Sequence, residues 1–128
     1  MNANTRNKTI LIIDEDADYR ELMTLFLQLE GIDTISAANG VDAMGIIGSP
    51  PPDLIITEWN LPMMDGLRLL QWLREESGHK IPVLVLTASD TTDIEQRAWK
   101  AGAAGVILKP VRPETLLSKI KKLILREE

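Results

Sequence analysis

Five apolar runs of strand length, each followed by a segment of helical spacing, constrain this 128-residue chain more than anything else in it. Thr9-Ile10-Leu11-Ile12-Ile13 is continuous and rich in β-branched residues, the pattern of a strand covered on both faces. Leu54-Ile55-Ile56, the run 81–86 and the run 103–108 read the same way, with Pro82 tolerable at a strand start. Ile32-Asp33-Thr34-Ile35-Ser36 alternates apolar and polar residues and suits an edge strand. Helical spacing is expected over 17–29, 41–47, 66–76, 91–101 and 114–126. Such alternation dictates an α/β parallel sheet, doubly wound, with right-handed crossovers and helices on both faces.

The helices differ in how much core they offer. Tyr19, Leu22, Met23, Phe26 and Leu29 form the apolar face of the first, with Asp16 or Asp18 as N-cap and Gly31 as stop. Asn39-Gly40 turns the chain into a short second helix, closed by Gly48 and Pro50-Pro51-Pro52. Leu69, Leu70 and Leu73 face inward on the third, which ends at Gly78. The fourth, capped by Thr91 or Thr92 and ended by Gly102, has only Ile94, Ala98, Trp99 and Ala101 to bury, so a loosely held helix is expected. Pro113 opens the fifth, whose Leu116, Leu117, Ile120, Leu123 and Ile124 oppose Lys119, Lys121, Lys122 and Arg126.

A chain of this length buries enough surface for one core, so residues 9–126 are expected to form one domain behind a flexible tail, 1–8. No cysteine is present, which suits a reducing cytoplasm, and no apolar run is long enough for export or for a membrane span. Fourteen basic against nineteen acidic residues give a net charge of -5, which opposes unspecific binding to nucleic acid or an anionic membrane. The one histidine, His79, lies in a polar turn and reads as a surface residue.

Chemistry concentrates at the carboxyl ends of the predicted strands. The first runs into Asp14-Glu15-Asp16, the third into Glu58 and a Pro- and Gly-punctuated loop, the fourth into Thr87 and the fifth into Lys109-Pro110. Singly, each has a bland reading: a solvated acid, a capping residue, an ordinary strand Thr, a surface Lys. In a parallel sheet all carboxyl ends face one way, so Asp14, Glu15, Glu58, Thr87 and Lys109 are expected to converge on one crevice. Three carboxylates suit a divalent cation, and a hydroxyl and a Lys suit phosphoryl oxygens. Pro110 favours a cis bond holding the Lys in place.

From Thr9 to Arg126 the chain resembles the receiver domain of two-component response regulators. Ile10-Leu11-Ile12-Ile13-Asp14-Glu15-Asp16 resembles that family's first strand and acidic pair, and the stretch from Pro52 to Gly66, with Trp59-Asn60-Leu61-Pro62 and Met64-Asp65-Gly66, its phosphoacceptor strand and loop. Thr87-Ala88 and Lys109-Pro110 resemble its hydroxyl position and Lys-Pro pair, and Glu58-Trp59-Asn60 is similar to stand-alone chemotaxis receivers. The resemblance implies a flavodoxin-like (βα)5 fold with strand order 2-1-3-4-5. It implies Mg²⁺ at Asp14, Glu15, Glu58 and the carbonyl of Asn60, phosphoryl binding by Thr87 and Lys109, and tuning of phosphoryl lifetime by Asn60 and Ser89. It also implies a sensor histidine kinase or another signalling protein as partner, and pairing or docking through the fourth helix, fifth strand and fifth helix, around Trp99, Lys100, Val106 and Lys119.

Three positions depart from the family. Glu58 stands where members carry the phosphoaccepting Asp, and its extra methylene moves the carboxylate about one C–C bond into the space of a phosphoryl group. Glu15 crowds a Mg²⁺ that demands octahedral geometry. Val106 replaces the usual Tyr or Phe and lacks the rotamer choice for a ring switch. The expectation is a non-enzymatic, phosphorylation-independent receiver with weakened or absent Mg²⁺ binding and output by protein–protein interaction. A conventional Mg²⁺-dependent switch in which Glu58 is an engineered phosphomimetic would read the same at that position. A flavodoxin-like cofactor carrier is disfavoured, since Asp14-Glu15-Asp16 repels a phosphate where flavin phosphate would sit.

Overall fold

The computed structural model describes residues 7–48 and 50–125, without the side chain of Thr91; most of the expected tail and Arg126 lie outside the described residues. Five parallel strands, β1 (Thr9–Ile13), β2 (Asp33–Ala37), β3 (Leu54–Thr57), β4 (Val83–Thr87) and β5 (Gly105–Leu108), form one sheet in the order β2-β1-β3-β4-β5. The helices α1 (Ala17–Leu29), α2 (Gly40–Ile46), α3 (Gly66–Trp72), α4 (Thr91–Lys100) and α5 (Pro113–Ile124) alternate with them, giving the expected flavodoxin-like architecture. Among the described residues no helix is long and apolar enough to cross a membrane.

Side chains of a strand alternate between faces, and that divides the core in two. Leu11, Ile13, Ile55, Val83 and Val85 pack with Ala43, Leu69, Leu70, Leu73, Ile94 and Ala98 of the α2, α3 and α4 side. Ile10, Ile12, Leu54, Ile56, Leu84 and Leu86 pack with Met23, Leu27, Leu116, Ile120 and Ile124 of α1 and α5. Register aligns the strand ends: Ile13 pairs with Ala37 and Thr57, and Thr87 with Leu108, so the residues just beyond them emerge together.

Several local expectations shift. β4 begins at Val83 rather than Ile81, and β5 at Gly105 rather than Ala103. The third helix is α-helical only to Trp72; Leu73–Ser77 widens into a π-helical turn before Gly78 takes the left-handed conformation (φ 77°). Arg74 ties that turn down, donating to the carbonyls of His79 (3.1 Å), Ile81 (2.8 Å) and Gly102 (3.0 Å). Asp16 is the N-cap of α1, and Asp90, one residue before the expected caps, is the N-cap of α4, accepting from the Thr92 N–H.

Two apolar assignments are corrected. On α1 the buried residue of the last turn is Leu27, fully enclosed, while Leu22 and Leu29 are 62% and 81% exposed. On α4, Ile94 and Ala98 face the sheet but Trp99 is 71% exposed. Leu27→Ala should therefore cost about 2–5 kcal/mol, and Leu29→Ala no more than about 0.5 kcal/mol. Urea unfolding of the two variants beside wild type measures this, and equal losses would refute the assignment.

Candidate functional site

Glu58 follows β3, and its N–H donates to the Ile13 carbonyl (2.9 Å), which draws it beside the end of β1. Its carboxylate turns back on its own chain: Oε2 accepts from the N–H groups of Trp59 (2.7 Å) and Asn60 (3.2 Å). The loop that follows is closed by Gly66, whose N–H reaches the Trp59 carbonyl at 2.8 Å; a Cβ there would stand 3.0 Å from the Trp59 Cα. Glycine is thus required by close backbone approach.

Asp14 leaves β1 with its N–H on the Ala37 carbonyl, and the side chain is almost fully buried. Oδ1 accepts from the Asp16 N–H (2.9 Å), and its carbonyl accepts from Arg20 Nη1 (2.6 Å). Lys109 follows β5, anchored by its N–H to the Thr87 carbonyl (2.7 Å) ahead of a cis Lys109-Pro110 bond. Its ammonium lies 2.6 Å from Asp14 Oδ2 and 3.2 Å from Glu58 Oε1. Thr87 is fully buried between them, and its Oγ1 accepts from the Ser89 N–H (3.2 Å). Asn60 Nδ2 donates to Ser89 Oγ (2.7 Å) across the mouth of the site.

The electrostatics follow from these contacts. Burial pushes the Glu58 carboxyl up, but the Thr87 hydroxyl, the Asn60 N–H and the Lys109 ammonium outweigh it and hold the group below the ordinary carboxylate range. Burial likewise opposes the charge on Lys109, and Asp14 and Glu58 overcome it, leaving the ammonium above its ordinary value.

The structure brings Asp14, Glu58, Thr87 and Lys109 into one group, with Asn60 and Ser89 at its edge. It does not bring in Glu15, which is exposed. Among the described residues no three carboxylate or imidazole side chains gather closely enough to hold a metal ion. Asp14 Oδ2 and Glu58 Oε1 both pair with Lys109, so a Mg²⁺, which needs oxygen ligands in near-octahedral array, would share these carboxylates with the ammonium. Val106 is half-buried on β5, opposite Val85, while Trp99 and Lys100 are exposed on α4, away from this group. Tyr19, whose ring lies 4.2 Å from the Lys109 ammonium, was not among the expected site residues; only its place in the first turn after the acidic cluster hinted at it.

Removing Lys109 leaves two buried carboxylates without their cation, so Lys109→Met should destabilise the fold by about 3–5 kcal/mol at pH 7. The sign with pH is fixed: stabilisation from a carboxyl held below its ordinary value is complete above the unfolded-state value and is lost as pH falls through the folded one. Wild type should lose stability on acidification while the variant, relieved by protonation, loses less. Urea midpoints at pH 7 and pH 4 check this, and a difference that widens toward acid would refute it.

Residues 10–121 match the family model of the response regulator receiver domain. The chain is 35% identical over 120 residues to the phosphate regulon transcriptional regulatory protein PhoB of Pseudomonas aeruginosa, covering 93% of this chain and 52% of that protein. It is 32% identical over 126 residues to the DNA-binding response regulator MtrA of Mycobacterium tuberculosis, covering 98% and 54%. The chain thus spans about half the length of these curated relatives. Among solved structures, a two-component response regulator from Clostridium difficile superposes with a TM-score of 0.88 at 31% identity, over 94% of this chain and 98% of that one. The chemotaxis response regulator CheY4 of Vibrio cholerae gives 0.83 at 30% identity, over 91% and 98%. The chain belongs to the response regulator receiver domain family.

Proposed function

We propose that this receiver works with a fixed internal charge in place of a transferable phosphoryl group, and that its output is recognition of a signalling protein. One observation carries the reading: the Glu58 carboxylate already holds the donors that would receive a phosphoryl group. Two backbone N–H groups, the Lys109 ammonium and the Thr87 hydroxyl all bear on it. A second anion on the same donors would meet an occupied site and the charge of Glu58 itself. Mg²⁺ binding is weak on this reading, because a cation must displace Lys109 from Asp14 and recruit Glu15 from solvent.

The output face is formed by α4, β5 and α5. There Trp99, Val106, Gln96 and Lys119 line a cavity of about 420 Å³, and an exposed Trp beside a recess suits an interface anchor. A sensor histidine kinase, another signalling protein or a second copy of the chain would dock there; Lys100 lies on the same helix. Direct binding of nucleic acid by this domain is opposed by its charge of -5.

A conventional Mg²⁺-dependent phosphorylation switch is favoured by the proximity of Asp14, Thr87 and Lys109, the rest of a competent site. The two readings separate in one experiment. In a Trp72→Phe/Trp99→Phe background, Trp59 fluorescence should stay unchanged when acetyl phosphate or beryllofluoride is added with Mg²⁺. A saturable response, or radiolabel on the unaltered chain, would overturn the fixed-charge reading. Labelling of Glu58→Asp alone would place the block in Glu58 rather than in Glu15 or Val106.

A further inference from the structure

A closed circuit of contacts surrounds Lys109 on the side away from Glu58. Asp14 Oδ2 holds the ammonium at 2.6 Å, while Oδ1 of the same carboxylate holds the N–H of Asp16 at 2.9 Å. Asp16 Oδ1 in turn accepts from the N–H of Tyr19 at 3.2 Å, capping α1. From that anchored backbone the Tyr19 ring returns to Lys109, its centroid 4.2 Å from Nζ.

An ammonium has three N–H donors and is strongly hydrated in water. Here two directions are taken by Asp14 and Glu58, and the Lys109 side chain is only 15% exposed. A third direction facing hydrocarbon would favour withdrawal of the charge into solvent. An aromatic face offers negative quadrupole instead, which attracts a cation at this distance.

We propose that Tyr19 is a positioning residue that holds the Lys109 ammonium on Asp14 and Glu58, so that residue 19 sets how readily the site opens. The ring remains a neutral face, since burial, with Asp14 and Glu58 nearby, raises the phenol above its ordinary value despite the opposing Lys109. Simple packing is the competing account, because Tyr19 also lines an apolar cavity of about 290 Å³ with Leu22, Met23, Phe26, Pro110 and Val111. A leucine or methionine would serve packing, but only an aromatic ring would serve the cation.

The test is ammonium proton exchange at Lys109, read by NMR on protein carrying ¹⁵N-lysine at one fixed pH, the signal being assigned by its loss in Lys109→Arg. Wild type and Tyr19→Phe should show a protected signal. Tyr19→Leu and Tyr19→Met should exchange about tenfold faster, the scale of a lost cation–π contact, with unfolding midpoints near that of Tyr19→Phe. Wild-type protection in both aliphatic variants would overturn the proposal, as would loss of protection in Tyr19→Phe as complete as in Tyr19→Leu. The proposal rests on the fixed-charge reading of Glu58, yet the two fail separately. Phosphoryl labelling of the unaltered chain would end that reading and leave the Tyr19 contact in the unlabelled protein, whereas unchanged exchange in the variants would end only the role of Tyr19.

Discussion

The Lys109 ammonium between Asp14 and Glu58 is the contact on which the carboxyl edge of the sheet depends. β1 and β3 are neighbours, so two buried carboxylates emerge side by side, an arrangement that self-repulsion would spread apart. The compensating cation comes from β5, two strands away from β3, with β4 between them. Strand spacing makes that a gap of roughly 10 Å, which the long stem of Lys109 closes only with the Glu58 side chain reaching toward it. One ammonium does not neutralise two carboxylates. The balance comes from neutral dipoles: the N–H groups of Asp16, Trp59 and Asn60 and the hydroxyl of Thr87. Buried charge is retained here because every oxygen of the two carboxylates has a donor, the condition under which burial of an ion pair is tolerated.

The same arrangement reaches α4. Trp59, directly after Glu58, is buried against the α3 and α4 side of the core, and Arg97 of α4 lies over its ring at 5.8 Å while pairing loosely with Asp93 at 3.6 Å. Ile94 and Ala98 supply the buried face of the helix. The acid loop and the exposed Trp99 are thus linked through one short helix whose apolar anchoring is thin.

The convergence of Asp14, Glu58, Thr87 and Lys109 was legible because parallel strands with apolar interiors end in polar groups on the same side, whereas the strand order was implied by the resemblance to the receiver family. Residues whose place depends on tertiary contact were not legible. Leu22, Leu25, Leu27 and Leu29 make α1 apolar around much of its circumference, so helical spacing alone accepts Leu29 as readily as Leu27; only the packing of α1 on Ile10, Ile12 and Leu54 selects Leu27. Trp99 read as core because it is the largest apolar residue of a polar helix, yet it lies about 100° round the helix from Ala98 and off the buried Ile94–Ala98 stripe. Glu15 read as a partner of Asp14 by adjacency, but consecutive residues leaving a strand tend to point to opposite sides, and one turns inward while the other meets solvent. Tyr19, Arg74 and Arg97 act through a few specific contacts outside their own helical turns, which leave no periodic trace.

A charge carried by a side chain differs from a phosphoryl group in one respect: hydrolysis does not remove it. On the fixed-charge reading proposed above, the equilibrium between receiver conformations would carry a constant bias that no kinase or phosphatase step alters. Any remaining regulation must come from a ligand or protein with different affinities for the two conformations, since equal affinity shifts nothing however tight the binding. The places where such a difference can arise are the ones this fold leaves uncommitted, the recess beside Trp99 and the thinly anchored helix that carries it.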